Sequence, residues 1–500
     1  MNHWLLRVWT LVFLAALVGT GSLYAQEDPV PNDSSWNYNF GPVDVNGPVY
    51  KVAVAPNGDV YIGGNFTQVN GMAANRIARW NGTTWSALGA GIGNGTVRAI
   101  AFSGNNVYVG GSFTSAGSVA ASSIAQWNGS QWSYLGKRDN EQGLDSTVNE
   151  IIFVGNTMYV AGSFIYAGNN DMLNRIARWS PTERIFIGLE GTATRGLDDT
   201  VYAMVSQGNT IYVGGRFPNA GGATAARIAK YDIDKGEWSK LGNGLGQTGS
   251  SEAYVTTMAI KDSILYVGGN FGFAGGTTAR RVAKWNIAQE KWYGFVDNTK
   301  RNGVDSIPTT MTLDGNGNLY VGGLFNNAGV AAARHIAKWH EADSTWTALG
   351  SGINGLPLSM AAQGKYVYVG GVFTQAGVKP SINFARWIDS AIVAPTDTGT
   401  VDTNTVSAPA RIEYTSAALT ATPNPASGST NINFTVPVSG LCTVDIHNVH
   451  GETVATLVSE RLEEGTYTVR WNAAGMPDGV YFCNLRSGDL ARTTKLVLVR

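Results

Sequence analysis

"NVYVGGSFTSAG", residues 106–117, alternates apolar and polar positions into a glycine pair, then places a phenylalanine before a turn of small residues. Near copies recur as "DVYIGGNF" (59–66), "TMYVAGSF" (157–164), "TIYVGGRF" (210–217), "ILYVGGNF" (264–271), "NLYVGGLF" (318–325) and "YVYVGGVF" (366–373). The first residue of the pair falls at 63, 110, 161, 214, 268, 322 and 370, a period of 47 to 54 residues, with alanine at 161. Neighbouring repeats need the same packing surface at every interface, whereas a site that singles out a ligand does not need seven equal copies. The phrase therefore reads as architecture, with the glycines admitting a bend or a close backbone approach at the strand end.

Each period holds four strands. In the second they are "VRAIAFS" (97–103), "NVYVGGSF" (106–113), "SIAQWNG" (123–129) and "QWSYLG" (131–136), separated by turn residues. Asn-Gly lies between aromatics five apart in "WNGTTW" (80–85) and "WNGSQW" (127–132), a hairpin signal because both central residues need positive φ. Elsewhere the aromatics stand seven apart, at Trp179 and Phe186, Tyr231 and Trp238, Trp285 and Trp292, and Trp339 and Trp346.

The seventh copy ends its third strand at Trp387 without a fourth. An orphan stretch, "SSWNYNFG" (34–41), sets Trp36 27 residues before Gly63, within the 24 to 30 that separate the other fourth-strand aromatics from the next glycine. The N-terminal strand is therefore expected to complete the last blade. The expected fold is all-β, a seven-bladed β-propeller that closes without a free edge. Over residues 34–390 the repeats resemble the kelch-like propellers, whose blades carry a strand ending in Gly-Gly and later aromatics at set spacings. That resemblance implies a fold and leaves function open, since propellers host enzymes, lectins and scaffolds alike.

Composition agrees with many short strands and tight turns: 63 glycines in 500 residues, 44% hydrophobic and only 14% charged. A net charge of −1 with no basic cluster gives no footprint for nucleic acid. Residues 1–25 read as a signal peptide, with Arg7, the apolar "VWTLVFLAALVG" (8–19) and "SLYA" (22–25) before Gln26; a retained anchor is the alternative. No later stretch is apolar enough to span a bilayer, so no transmembrane anchor is expected after cleavage. The domain boundaries expected are 1–25, a propeller over 26–390, a Thr/Ser/Pro/Ala-rich linker over 391–417 and a second domain over 418–500.

That last domain packs about seven short strands into some 80 residues, suggesting a small Ig-like β-sandwich. Its "NPA" (424–426), "DIHNVHGETV" (445–454), "GTYTVRWN" (465–472), "GVYFCNLRSG" (479–488) and terminal "KLVLVR" (495–500) resemble the C-terminal sorting domain of the type IX secretion system of Bacteroidota-type bacteria. The resemblance implies export, with the secretion machinery as partner through residues 418–500 and an extracellular or outer-membrane-surface location reached through the periplasm. Cys442 and Cys483, the only cysteines, both fall on the apolar face of their strands; a disulfide and two buried free thiols are both open.

With no cysteine and only His335 and His340 in the propeller, copper-radical chemistry of the galactose-oxidase type is excluded, and no cofactor or metal is expected. Arg79, Arg178, Lys230, Lys284, Lys338 and Arg386 precede the third-strand aromatic; a basic ring for an anion competes with cations packed over aromatic rings, and repetition favours packing. "DGNGN" (314–318) has alternate oxygens but no terminal Glu, so a turn is expected rather than a calcium loop. The loops that refuse to repeat join one blade to the next. They carry Asp145, Asp198, Asp199, Glu252 and Asp305, candidate ligand-binding carboxylates weighed against residues that merely close turns. The expected function is a non-enzymatic surface or secreted module that binds glycans or proteins on its loop face; the alternative is a polysaccharide hydrolase or lyase using those carboxylates.

Overall fold

The computed structural model describes residues 33–36, 43–137, 143–168, 170–191, 194–247, 252–297, 300, 302–389, 419–436, 440–448, 453–463, 465–487 and 490–499. The signal peptide and linker expected at 1–25 and 391–417 lie outside the described residues. The chain divides into two compact units after Thr396. Among the described residues no helix is long and apolar enough to cross a membrane.

Among the described residues, the first unit contains seven principal antiparallel sheets in chain order, six of them four-stranded meanders. The first is typical: Val49–Val54, Val60–Gly64, Ile77–Trp80 and Trp85–Ala87, each strand paired with the next. A small two-stranded hairpin, Gln68–Val69 with Met72–Ala73, links its second and third strands. The first strand of each sheet lies against the first strand of the next, and that of the seventh, Leu356–Gln363, lies against Val49–Val54. The strands are thus arranged around a common axis, as in a propeller.

The core sits between sheets, not inside them. One apolar cluster, for example, joins Tyr61 and Ile77 of the first sheet to Ile100 and Trp132 of the second. Another joins Val49 and Val52 of the first to Tyr368 and Phe384 of the seventh. The phenylalanine of the repeated phrase is buried in every copy, from Phe66 to Phe373.

The expected aromatic pairs are all cross-strand neighbours. Trp80 faces Trp85, Trp127 faces Trp132, Trp179 faces Phe186, Tyr231 faces Trp238, Trp285 faces Trp292 and Trp339 faces Trp346. The seventh sheet has three strands, and Trp387 on its outer strand bridges Trp36, with ring centroids 5.1 Å apart. Trp36 Nε1 donates to the Leu349 carbonyl at 3.0 Å, as Trp132 Nε1 does to Leu88 and Trp292 Nε1 to Leu241.

GG positions have two separate causes. A Cβ on the second glycine would stand far inside van der Waals contact with a carbonyl of its own sheet's first strand or of the residue just before it: 1.9 Å from Thr96 O at Gly111 and 2.1 Å from Thr200 O at Gly215. A Cβ on the first would meet a side chain of the next sheet, 2.5 Å from Val97 Cγ1 at Gly63 and 2.5 Å from Val148 Cγ1 at Gly110. At Gly370 the side chain met is Val49, so the seventh sheet meets the first as the others meet their successors. Backbone cannot yield whereas a side chain can, which is why the alanine occurs at the first position, Ala161, and never at the second.

Among the described residues, the second unit holds seven strands in two antiparallel sheets. Leu419–Thr422, Ser429–Val436 and Gly465–Asn472 form one; Thr453–Leu462, Gly440–His447, Gly479–Ser487 and Leu490–Leu498 form the other. Phe434 and Trp471 of the first share one core with Val444, Ile446, Tyr481 and Leu485 of the second. Cys442 and Cys483 lie in this core as free thiols, which corrects the disulfide option. Cys483 pairs with Ile446, four residues along the strand from Cys442, so their Cα atoms are roughly 13 Å apart, against about 4.4–6.8 Å for a disulfide. Burial, with a smaller push from Asp445, raises the Cys483 thiol to about 12.

Candidate functional site

Opposite each glycine pair the first strand carries one residue too many. Val49 pairs with Gly64 and Lys51 with Gly63, leaving Tyr50 as the extra residue of a β-bulge. The same shift leaves Arg98, Asn149, Tyr202, Thr256, Thr309 and Leu358 in the following sheets. All seven line one cavity of about 910 Å³, bounded mainly by the first strands. The glycines let the bulged strand approach; the bulge turns a residue free of ladder pairing toward the axis.

Three of the seven are used in holding sheets together. Asn149 Nδ2 donates to Val201 O at 2.8 Å, Thr256 Oγ1 donates to Pro308 O, and Thr309 Oγ1 donates to Pro357 O. One step further in, Ser359 Oγ accepts the Val52 N–H and Thr310 Oγ1 the Met360 N–H, both at 2.9 Å. This leaves Tyr50, Arg98, Tyr202 and Leu358 as bulge side chains whose polar or apolar ends are not committed to these stitches.

The charges in the wall are unevenly matched. Lys51 Nζ meets Glu150 Oε1 at 2.6 Å, both side chains about one-fifth exposed. Arg216 Nη2 meets Glu252 Oε2 at 2.8 Å; hydrogen bonds to Glu252 and Tyr202 hold its guanidinium above the ordinary arginine range. Arg98 lies 4.8 Å from the Tyr50 ring centroid, and among the described residues no carboxylate is within ion-pair distance of it. Tyr254, on the first strand of the sheet after that of Tyr202, lines the same cavity.

The carboxylates singled out from the sequence lie elsewhere. Asp145 Oδ1 accepts the Ile165 N–H at 2.8 Å, and Asp198 accepts the Asn219 N–H and Nδ2. Asp305 accepts the Asn326 N–H at 2.9 Å and Asn327 Nδ2 at 2.7 Å. Burial pushes the Asp305 carboxyl up, but the bonds from Asn327 and Asn326 and the nearby Arg280 outweigh it and hold the group below its usual range. Asp199 Oδ1 accepts from Thr200 N beside it. Asn46, Asn94 and Asn354 make the same kind of bond to the small hairpins of their own sheets, at Thr67, Thr114 and Thr374. Aspartate or asparagine thus latches the loop before a sheet onto that sheet's hairpin. None of the five carboxylates lines the cavity; Glu252 alone is bonded to a residue that does.

The third-strand cations join neighbours. Lys230 meets Glu290 at 2.9 Å and Lys284 meets Glu341 at 2.7 Å, each on the next sheet, while Arg79 meets Asp59 within its own at 2.7 Å. Lys284 Nζ is also 5.2 Å from the Phe295 ring centroid. His335 Nδ1 lies 2.9 Å from Ile353 O. Asp314 Oδ1 accepts the N–H groups of Asn316 and Asn318, so "DGNGN" closes a turn with its own carboxylate. The bulge residues were missed because an inserted residue leaves no periodic mark. Aligned on the glycine pairs, however, "VYKV", "VRAI", "VNEI", "VYAM", "VTTM", "PTTM" and "PLSM" show a variable column after Val or Pro.

Residues 421–499 match the family model described as secretion system C-terminal sorting domain, and residues 55–82 match a domain of unknown function described as a beta-propeller. No curated protein matches the chain. Among solved structures the chain is similar to the computationally designed Ika8 protein, at 16% identity over 69% of this chain and 98% of that one, with a TM-score of 0.42. It is also similar to PorZ, a surface component of the type IX secretion system of Porphyromonas gingivalis, at 13% identity over 88% and 64% of the two chains and a TM-score of 0.38. A GH74 xyloglucanase from Xanthomonas campestris follows at 12% identity over 66% and 59%, TM-score 0.36. The chain is a β-propeller joined to a type IX secretion sorting domain, and that domain marks it as an exported protein of the cell surface or extracellular space.

Proposed function

We propose that the seven sheets are the blades of one closed, kelch-like propeller, with Trp36 supplying the fourth-strand position of the last blade, and that the following domain is an Ig-like sandwich. The propeller is a non-enzymatic binding module that takes a glycan or protein ligand at the axial cavity. The observation that carries this reading is that the seven bulge residues, of five different types in a molecule built from copies, all open onto one cavity. Side chains free to differ where everything around them repeats are the ones available for recognition.

Glycoside hydrolysis asks for two carboxyl groups about 5–10 Å apart, one of them able to give up a proton. Here Glu150 is held by Lys51 and Glu252 by Arg216, and Asp145, Asp198 and Asp305 are occupied as latches. This favours binding over catalysis. The test is a glycan and surface-protein array probed with the full chain and with Tyr202→Ala. Binding that falls at least tenfold in the variant, with an unchanged melting temperature, supports the reading; release of reducing sugar from a bound polysaccharide would establish the hydrolase instead.

A further inference from the structure

The charged and tyrosine side chains of the cavity wall are gathered on the first five sheets. There an arginine stands beside a tyrosine twice: Arg98 over the Tyr50 ring, and Arg216 near Tyr202, with Tyr254 on the first strand of the following sheet. The sixth and seventh sheets contribute Thr309 and Leu358 at the corresponding positions. Lys51 is balanced by Glu150 and Arg216 by Glu252, so among the described residues one positive charge of the wall, that of Arg98, is in excess.

Each feature narrows the ligand. A cavity of about 910 Å³ is at the upper end of the roughly 300–1,000 Å³ range of ligand pockets, which admits an oligomer of small rings. Tyrosines joined to polar neighbours offer a flat apolar face and a hydrogen-bonding edge together, the pairing that the face and rim of a sugar ring demand. A guanidinium with no acid partner offers a planar fork that fits a carboxylate through two parallel hydrogen bonds. The partnered Glu150 and Glu252 keep the rest of the wall neutral, so the field at the cavity is set by Arg98.

We infer that the cavity binds an acidic oligosaccharide, with a sugar carboxylate on Arg98 and neighbouring rings against Tyr50, Tyr202 and Tyr254. The inference rests on the axial cavity being the binding site. Arg98 selects for charge, the tyrosines supply contact area, and the Lys51–Glu150 pair fixes the wall beside them. Affinity should fall as ionic strength rises, because one partly exposed charge pair carries the selectivity.

The experiment is calorimetric titration of the full chain with three probes of similar length: oligogalacturonate, a neutral galactan oligosaccharide and a sulfated galactan oligosaccharide. Oligogalacturonate is expected to bind at least tenfold more tightly than the neutral probe and more tightly than the sulfated one. Arg98→Ala should remove that preference, Arg98→Lys should retain part of it, and Leu358→Glu, which adds a negative charge to the wall, should weaken the two charged probes and leave the neutral one unchanged. Equal binding of neutral and acidic probes, or a preference untouched by Arg98→Ala, overturns the acidic-sugar inference while leaving the cavity as a binding site if Tyr202→Ala still weakens the neutral probe. Stronger binding of the sulfated probe, no binding of any saccharide, or binding only of a poly-glutamate peptide run in parallel, overturns it as well. Binding unaffected by Arg98→Ala, Leu358→Glu and Tyr202→Ala together would remove the cavity reading too.

Discussion

The glycine pair and the bulge residue face each other across one ladder in every sheet, and they could hardly differ more. On the second strand the second position is glycine in all seven copies, because a backbone carbonyl stands where any side chain would begin. On the first strand the residue opposite reads Tyr, Arg, Asn, Tyr, Thr, Thr and Leu. One position is fixed by contact with neighbouring strands; at the other, Asn149, Thr256 and Thr309 bond to the next sheet while Tyr50, Arg98, Tyr202 and Leu358 make no such stitch. The difference teaches where to look in a repeat protein: at the positions that repetition leaves unconstrained.

The contrast breaks most visibly at the seam between the last sheet and the first. If Trp36 is a member of the repeated set, Trp36→Ala should cost ~3–5 kcal/mol, as for a buried aromatic. Denaturant unfolding of the full chain checks this against Trp132→Ala, whose indole makes the corresponding bond to the preceding sheet. A loss below about 1 kcal/mol at Trp36 with a full loss at Trp132 would mean that the ring does not depend on its N-terminal strand.

Within the glycine pair the two members should separate. Gly111→Ala puts a methyl against the Thr96 carbonyl and is expected to cost about 3 kcal/mol; Gly110→Ala pushes on the side chains of Val148 and Ala99 and should cost about 1 kcal/mol. Equal losses would contradict the account of Ala161. Across the ladder the expectation reverses. Arg98→Ala, at an exposed position, should change stability by less than about 0.5 kcal/mol while changing ligand binding. A large loss of stability there would turn the variable column back into architecture.

How much of this was readable follows from the same contrast. Alternation, Asn-Gly turns and the five- and seven-residue spacing of aromatics located the strands and their partners, down to Trp179 on Phe186 and Trp36 on Trp387. Each is a local rule with a fixed period. The bulge breaks period by one residue and then restores it, so "VYKVAV" still reads as an ordinary strand. Another repeated feature was equally hidden. Arg76, Ser123, Arg175, Arg227, Arg281, His335 and Asn383, just before the third strand, all adopt positive φ between 62° and 77°, a conformation usually flagged by glycine. The thiols failed for a different reason: the pattern gave their face, and only register gives their distance. For the candidate site, the sequence pointed to loop carboxylates because charges in variable loops look functional, while their Asn counterparts in sibling loops carried the structural explanation.

Those loop carboxylates supply the smallest and last test. Asp305 does for the sixth sheet what Asn46, Asn94 and Asn354 do for others, so Asp305→Asn should hold its hairpin once the Asn327 amide turns to present its oxygen. At neutral pH the loss should stay below about 1 kcal/mol, since the group is near solvent and its bonds are replaceable. The pH dependence carries a definite sign. A carboxyl held below its unfolded value of about 3.9 contributes stability above that pH and loses it as pH falls through the lower folded value. The wild type should therefore lose slightly more stability than Asp305→Asn between neutral pH and about pH 3, measured by thermal unfolding in matched buffers. Ligand binding should be unchanged, because a latch needs an oxygen and not a charge. If Asp305→Asn left the fold intact yet abolished binding, the variable loops rather than the axial cavity would hold the ligand, and the division between the two strands of the ladder would have been drawn in the wrong place.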